Sequence, residues 1–140
     1  MNAKWLLWLL PMLFAGCMSI SSSPRETFTV PVGYQDVYRY ATAQAERCLR
    51  GDEKQYPVSG NINESTRTAQ VMVVSGLGVH FAQVDIRALN ERSSEVTVMV
   101  AGVNIWDYHA IAAMREVVEF GVPTCTSYMP TNPTMSSQYK

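Results

Sequence analysis

The sequence predicts an α+β domain in which an antiparallel sheet of four to five strands carries two helices on one face. Short segments with apolar residues at every second position recur between residues 26 and 100, as expected for half-buried strands. Two longer segments, 33–49 and 104–120, place apolar residues at helical spacing instead. Residues 90–94 form a hairpin signal, and an antiparallel meander is the simplest assembly of these elements.

The strand segments are bounded by residues that typically interrupt a sheet. Pro31 closes the first strand, and the sequence 63–67 predicts a turn before the third. The alternation slips in phase near Ala82, which predicts a β-bulge. The predicted strands are 26–32, a short strand within 56–63, 68–74, 79–89 and 95–100.

Each helix segment has an apolar stripe and a stop signal. Gly51 follows the first helix, and Gly121 and Pro123 follow the second, for which Asn104 or Asp107 is the candidate N-cap. The stripe of the first helix is Val37, Ala41, Ala45 and Cys48, and that of the second is Ile111, Met114, Val117 and Val118.

The first seventeen residues, MNAKWLLWLLPMLFAGC, have the layout of a secretory signal peptide. Lys4 provides a positive charge, residues 5–14 are apolar, and the small residues Ala15 and Gly16 follow. The apolar run has only ten residues, whereas a spanning helix needs about 20. These residues therefore predict a cleaved signal rather than a retained transmembrane helix.

The stretch LFAGC, residues 13–17, resembles the lipobox of bacterial lipoproteins. Phe14 stands where the family usually has leucine. The resemblance implies that residues 1–16 are removed and that Cys17 becomes the first residue, anchored in the membrane by fatty acyl chains including palmitate. The alternative is an ordinary signal peptide followed by a chance cysteine.

The same resemblance implies a location in the bacterial envelope. Met18 follows the cysteine, whereas an aspartate there tends to retain lipoproteins in the inner membrane. The expected site is therefore the inner leaflet of the outer membrane, with the domain facing the periplasm. The order of elements resembles that of helix-grip domains in small periplasmic lipoproteins, including the accessory lipoprotein C of the barrel-assembly machinery.

Cleavage before Cys17 leaves 124 residues, which suit one domain. The expected layout is a lipidated tether at 17–25, a domain at 26–126 and a disordered tail at 127–140. Ten basic and twelve acidic residues remain, so the formal charge is −2. Neither nucleic acid nor a polybasic lipid contact is indicated by this balance.

Two cysteines, Cys48 and Cys125, remain in an oxidising compartment and predict a disulfide bond, with two separate buried thiols as the alternative. Both lie at the C-terminal ends of the predicted helices, and two roughly parallel helices would bring such ends together. Neither His80 nor His109 lies at metal-ligand spacing from them, so no metal site is predicted.

Candidate acid–base groups are His80, Asp85, Asp107 and His109, but they match no nucleophile, phosphate-binding or dinucleotide motif. We therefore expect no cofactor and a non-enzymatic interaction module with an envelope partner. Tyr34, Tyr38, Trp106 and Tyr108 are the candidate interaction surface. The alternative is that they cover the core or the margins of the sheet. The alternative function is a carrier that holds a small apolar ligand between the sheet and the helices.

Overall fold

The computed structural model describes residues 23–51 and 55–125, which form a five-stranded antiparallel sheet and two helices. The predicted α+β class is therefore confirmed. The strands are β1 (Arg25–Val30), β2 (Val58–Asn63), β3 (Thr68–Val74), β4 (His80–Ala88) and β5 (Ser94–Val100). The helices are α1 (Tyr34–Gln44), which continues as a π-helical turn over Ala45–Leu49, and α2 (Tyr108–Phe120).

Strands β2 to β5 form a meander, and β1 adds beside β5, so the order across the sheet is β1-β5-β4-β3-β2. Every neighbouring pair is antiparallel. We call the end of the sheet that contains Arg25 and Val100 the proximal end, because the described chain enters the sheet there. The end that contains Val30 and Ser94 is the distal end.

Both helices pack on the same face of the sheet, α1 over β2–β4 and α2 over β1 and β5. Strand alternation explains this one-sided cover, because the buried residues of each central strand occupy every second position. The predicted stripe of the first helix is fully buried against this face, as is the predicted stripe of α2. The core therefore lies between one sheet face and the helix pair.

The local details match the predictions in two places and differ in a third. The expected bulge is confirmed as a register shift between Val73 and Val74, opposite the start of β4. Asp107 caps α2 and accepts the backbone N–H of His109 at 2.9 Å. The helix begins at Tyr108 rather than at residue 104, because the preceding residues close a tight loop in which the N–H of Trp106 bonds to the carbonyl of Val103.

A disulfide joins Cys48 to Cys125, with their Cα atoms 5.1 Å apart. Parallel helices do not explain it, because β1 and β5 are antiparallel and the helices that follow them begin at opposite ends of the sheet. The segment after α2 returns along α1 instead. The buried amide of Gln44 donates to the carbonyl of Thr124 at 2.8 Å and accepts its N–H at 3.0 Å.

The predicted signal 1–16, the lipidation site Cys17 and the predicted tail 127–140 lie outside the described residues. The tether prediction of 17–25 is too long at its C-terminal end. Arg25 already belongs to β1, and the carbonyl of Pro24 accepts the N–H of Val100 at 3.0 Å. Among the described residues, no helix is long and apolar enough to cross a membrane.

Candidate functional site

The sheet face opposite the helices carries a polar row that crosses all five strands. Thr27, Thr97, Asp85, Gln70 and Asn61 are direct cross-strand partners, in that order from β1 to β2. Side chains that alternate with the core residues necessarily point to this second face. The row therefore exists because each strand has a polar residue at the same register position.

Hydrogen bonds fix the centre of this row around the Asp85 carboxylate. The Nε2 atom of Gln70 donates to Oδ1 of Asp85 at 2.7 Å, and Nε2 of Gln83 donates to both oxygens, at 3.0 Å and 2.9 Å. At the other side of the row, the hydroxyl groups of Thr27 and Thr97 lie 2.8 Å apart. Because charge-assisted bonds are shorter and stronger than neutral ones, Asp85 orients both amides.

A depression of about 390 Å³ lies over this part of the face. At its edge lies an ion pair between Arg87 and Glu95, whose nitrogen and oxygen atoms are 2.9 Å apart. It therefore presents charges of both signs together with amide and hydroxyl groups. The lining residues are Asn61, Thr68, Ala69, Gln70, Asp85, Ile86, Arg87, Glu95 and Thr97.

The carboxylates of this depression already have hydrogen-bond or ion-pair partners. Asp85 already accepts several amide hydrogen bonds, and the Glu95 carboxylate is paired with Arg87. The lining also holds the hydroxyl groups of Thr68 and Thr97. Paired donors and acceptors on a firm sheet can match a polar peptide or a small polar ligand.

The four aromatic residues predicted as one interaction surface do not lie together on the surface. Tyr34 and Trp106 are buried, and Tyr38 is partly buried against the core. These three residues therefore cover the core and its margins, as in the alternative interpretation. Tyr108 is 64% exposed and is the member of the set that remains available to a partner.

Trp106 belongs to an aromatic cluster at the proximal end that the sequence did not predict. Its ring stacks on Phe81, with centroids 5.0 Å apart, and meets Tyr56 edge-on at 5.5 Å. Tyr56 also contacts Phe81 edge-on at 5.3 Å. The three residues come from separate segments, so no local sequence pattern reveals the cluster. It joins the start of β4 to the loop before α2.

The candidate acid–base residues do not converge on one site. His80 is exposed at the proximal end of β4, whereas Asp85 lies in the polar row. Nδ1 of His109 lies 3.1 Å from Oδ2 of Asp107 at the exposed start of α2. Hydrogen bonds from the His109 side chain and backbone lower the pKa of Asp107, which fits its role as a helix cap.

The described residues hold no group of three or more histidine, cysteine or acidic side chains placed to bind a metal ion. Cys48 and Cys125 are bonded to each other. The space between sheet and helices is filled by side chains such as Val71, Val84 and Ile111, each at most 1% exposed. An apolar ligand there would have to displace core residues.

No protein-family model matches the chain, and no curated protein matches it. Among solved structures, a point mutant of norcoclaurine synthase from Thalictrum flavum, bound to a transition-state analogue, aligns at 9% identity and a TM-score of 0.33. That alignment covers 69% of this chain and 92% of the other. The same enzyme with dopamine and hydroxybenzaldehyde aligns at 10% identity and a TM-score of 0.31, covering 79% and 96%. Similarity at this level identifies neither the family nor the function of this chain.

Proposed function

We propose that this protein is a lipid-anchored bacterial envelope lipoprotein whose domain is a non-enzymatic interaction module. The polar row on the sheet face opposite the helices is the observation that carries the second half of this proposal. The first half rests on the lipobox-like sequence that ends at Cys17. On this view the anchor sits in the inner leaflet of the outer membrane, and the sheet face meets an envelope protein in the periplasm.

The polar face supports partner recognition for a physical reason. Hydrogen bonds hold Gln70, Gln83 and Asp85 in one arrangement before any partner arrives. Side chains that are already ordered lose less conformational entropy on binding, so each contact contributes more to affinity. The Arg87–Glu95 pair beside them offers both charges, which gives specificity for a complementary surface.

Site-specific photo-cross-linking in intact cells tests the interaction surface. A photoreactive phenylalanine in place of Asn61, at the edge of the depression, should cross-link to one dominant envelope protein. The same group in place of Ala112, exposed on α2, is the matched control and should give no such adduct. Equal adducts from both positions, or none from residue 61, would contradict the proposed surface.

The anchor is tested separately, by the mass of the membrane-extracted protein. The mature chain should begin at Cys17 and carry the additional mass of fatty acyl chains. Cys17→Ser should lose this mass and the membrane association. An unmodified, soluble wild-type chain would refute the anchor and the location together, whatever the cross-linking shows.

A second candidate function is the binding of a small ligand in the depression of about 390 Å³ on the sheet face. Its polar lining selects a polar ligand, rather than the apolar ligand expected between sheet and helices. Native mass spectrometry of the extracted protein should then show a defined non-covalent mass. Asp85→Ala should remove that mass, whereas Ala112→Ser should retain it. A wild-type protein without added mass would rule out a ligand that survives extraction.

A further inference from the structure

Two neighbouring loops at the proximal end of the sheet expose apolar side chains and contain one residue of the types Asp, Glu, Lys and Arg. The first loop, residues 75–79, joins β3 to β4, and the second, residues 101–107, leads from β5 to α2 and ends with that residue, the helix cap Asp107. Leu77 is 94% exposed, Val79 is 53% exposed and Val103 is 43% exposed. Together with Tyr108 these residues form what we call the apolar rim.

The turns at the distal end of the sheet carry more charged residues. The turn between β2 and β3 carries Glu64 and Arg67, and the turn between β4 and β5 carries Glu91 and Arg92. All four of these side chains are exposed. The distal end also exposes apolar side chains, among them Leu89 and Phe120, but its turns carry these four charged side chains, whereas Asp107 is the one such residue in the two proximal loops. Clustered apolar exposure of the kind found at the apolar rim marks a contact surface.

The chain that leads to Cys17 leaves from the same end as the apolar rim. Pro24 is fixed there by its hydrogen bond to Val100, and it lies against the loop at Gly102. Six residues lie between Pro24 and Cys17, so seven residue-to-residue steps join the two. Even fully extended, they span at most about 25 Å, because each residue adds no more than roughly 3.6 Å. Whatever holds Cys17 therefore lies close to the proximal end.

We propose that the apolar rim rests on the phospholipid bilayer that holds the acylated Cys17. This inference depends on the proposed lipid anchor. Leu77, Val79 and Val103 enter the headgroup region, and Tyr108 takes the interfacial position that aromatic side chains with a polar tip favour. The stacked rings of Trp106 and Phe81 lie at the same end and hold the second loop against β4.

This contact also sets the orientation of the domain. The strands run from the proximal end to the distal end, so the sheet stands on the membrane with the charged turns farthest from it. The polar row then faces sideways into the periplasm, where a partner can reach it. The short tether and the contact of the apolar rim with the membrane together fix the orientation of the domain. A lipid anchor alone would leave this orientation free.

Spin labels on the acylated protein test the proposal directly. In the mature chain Cys17 carries lipid and the other two cysteines are bonded, so one added cysteine gives a unique labelling site. Leu77→Cys places the label on the apolar rim. Leu89→Cys is the matched control, since Leu89 is an exposed leucine next to the other end of β4.

Both labelled proteins are reconstituted into vesicles of phosphatidylethanolamine and phosphatidylglycerol. Molecular oxygen concentrates in the bilayer, whereas a water-soluble nickel complex stays in the aqueous phase. We expect oxygen to relax the label at 77 more than the nickel complex does. The label at 89 should show the reverse. Val103→Asp in the neighbouring loop should shift the label at 77 toward the aqueous pattern. Emission from Trp106, the only tryptophan after residue 16, verifies that each variant is folded.

The other outcomes are equally informative. An aqueous pattern at 77 in protein that remains bound to the vesicles would overturn the rim proposal and leave the anchor intact. Low relaxation by both agents at 77 would mean that protein, such as a second copy, covers the rim, and would also overturn it. A chain that carries no acyl mass and does not bind vesicles would refute the anchor, and the rim proposal with it.

Discussion

Replacing Cys125 by serine should lower the free energy of unfolding by about 4 kcal/mol. The disulfide joins residues 77 positions apart in the sequence. On the chain-entropy model, a loop of this length removes roughly 15 cal/mol/K from the unfolded chain, or about 4.5 kcal/mol at 298 K. Cys125 is exposed, so its replacement removes little packing, and the loss comes almost entirely from a freer unfolded state.

Urea unfolding at equilibrium measures this loss. The midpoint should fall in Cys125→Ser, and the dependence of the free energy on urea should steepen, because the unlinked unfolded chain exposes more surface. Cys48→Ser should cost more, by about 1–3 kcal/mol, since Cys48 is fully buried and the new hydroxyl has to be desolvated. Reduced wild-type protein should resemble Cys125→Ser.

The loss is large against the 5–15 kcal/mol that typically stabilises a domain. A decrease of less than about 1 kcal/mol in Cys125→Ser, with an unchanged urea dependence, would refute the entropic argument. It would mean that the unlinked unfolded chain stays as compact as the linked one. Equal losses in the two single variants would contradict the argument that burial of Cys48 adds a separate cost.

Three further predictions concern the helices, and the same urea unfolding experiment measures all of them. For the Gly121 and Gln44 variants, a change in the free energy of unfolding of less than about 0.5 kcal/mol would contradict the prediction. Gly121→Ala should lower the free energy of unfolding by about 1–2 kcal/mol, because Gly121 adopts the left-handed conformation with φ 75° and a Cβ there would lie 2.9 Å from a tyrosine ring. Gly76→Ala is the control and should be nearly neutral, because the space around Gly76 is open. Gln44→Met should lower the free energy of unfolding by about 2 kcal/mol, because it removes the hydrogen-bond partners of both the carbonyl and the N–H of Thr124. The pKa of Asp107 is lowered in the fold, so its charge stabilises the fold at pH values above its ordinary pKa of 3.8. This stabilisation is lost as the pH falls through the lowered pKa. Asp107→Asn should thus be less stable than wild type at neutral pH, and the difference should shrink in acid; a difference that is independent of pH would contradict this.

Much of the fold was predictable because its signals are local. Alternation in β3 and β5 and the buried stripe of the first helix specify which face of each element is apolar, and burial then forces the layer arrangement. The start of α2 was predicted four residues too early. Asn104, proposed as a possible cap, adopts φ 52° in the loop before the helix instead. A tight turn held by long-range packing of Trp106 overrides the local preference there.

The sequence by itself determined the lipobox-like motif, the candidate disulfide pair and the identity of the core faces, because each depends on residue type and spacing along the chain. Only the tertiary structure decided which polar residues meet. Gln70 and Asp85 are 15 positions apart and become neighbours through strand register. The apolar rim likewise exists only because antiparallel pairing brings Pro24 and the two loops with exposed apolar residues to one end of the sheet. Register and topology are set by the burial of the whole core, and no short window of sequence contains that information.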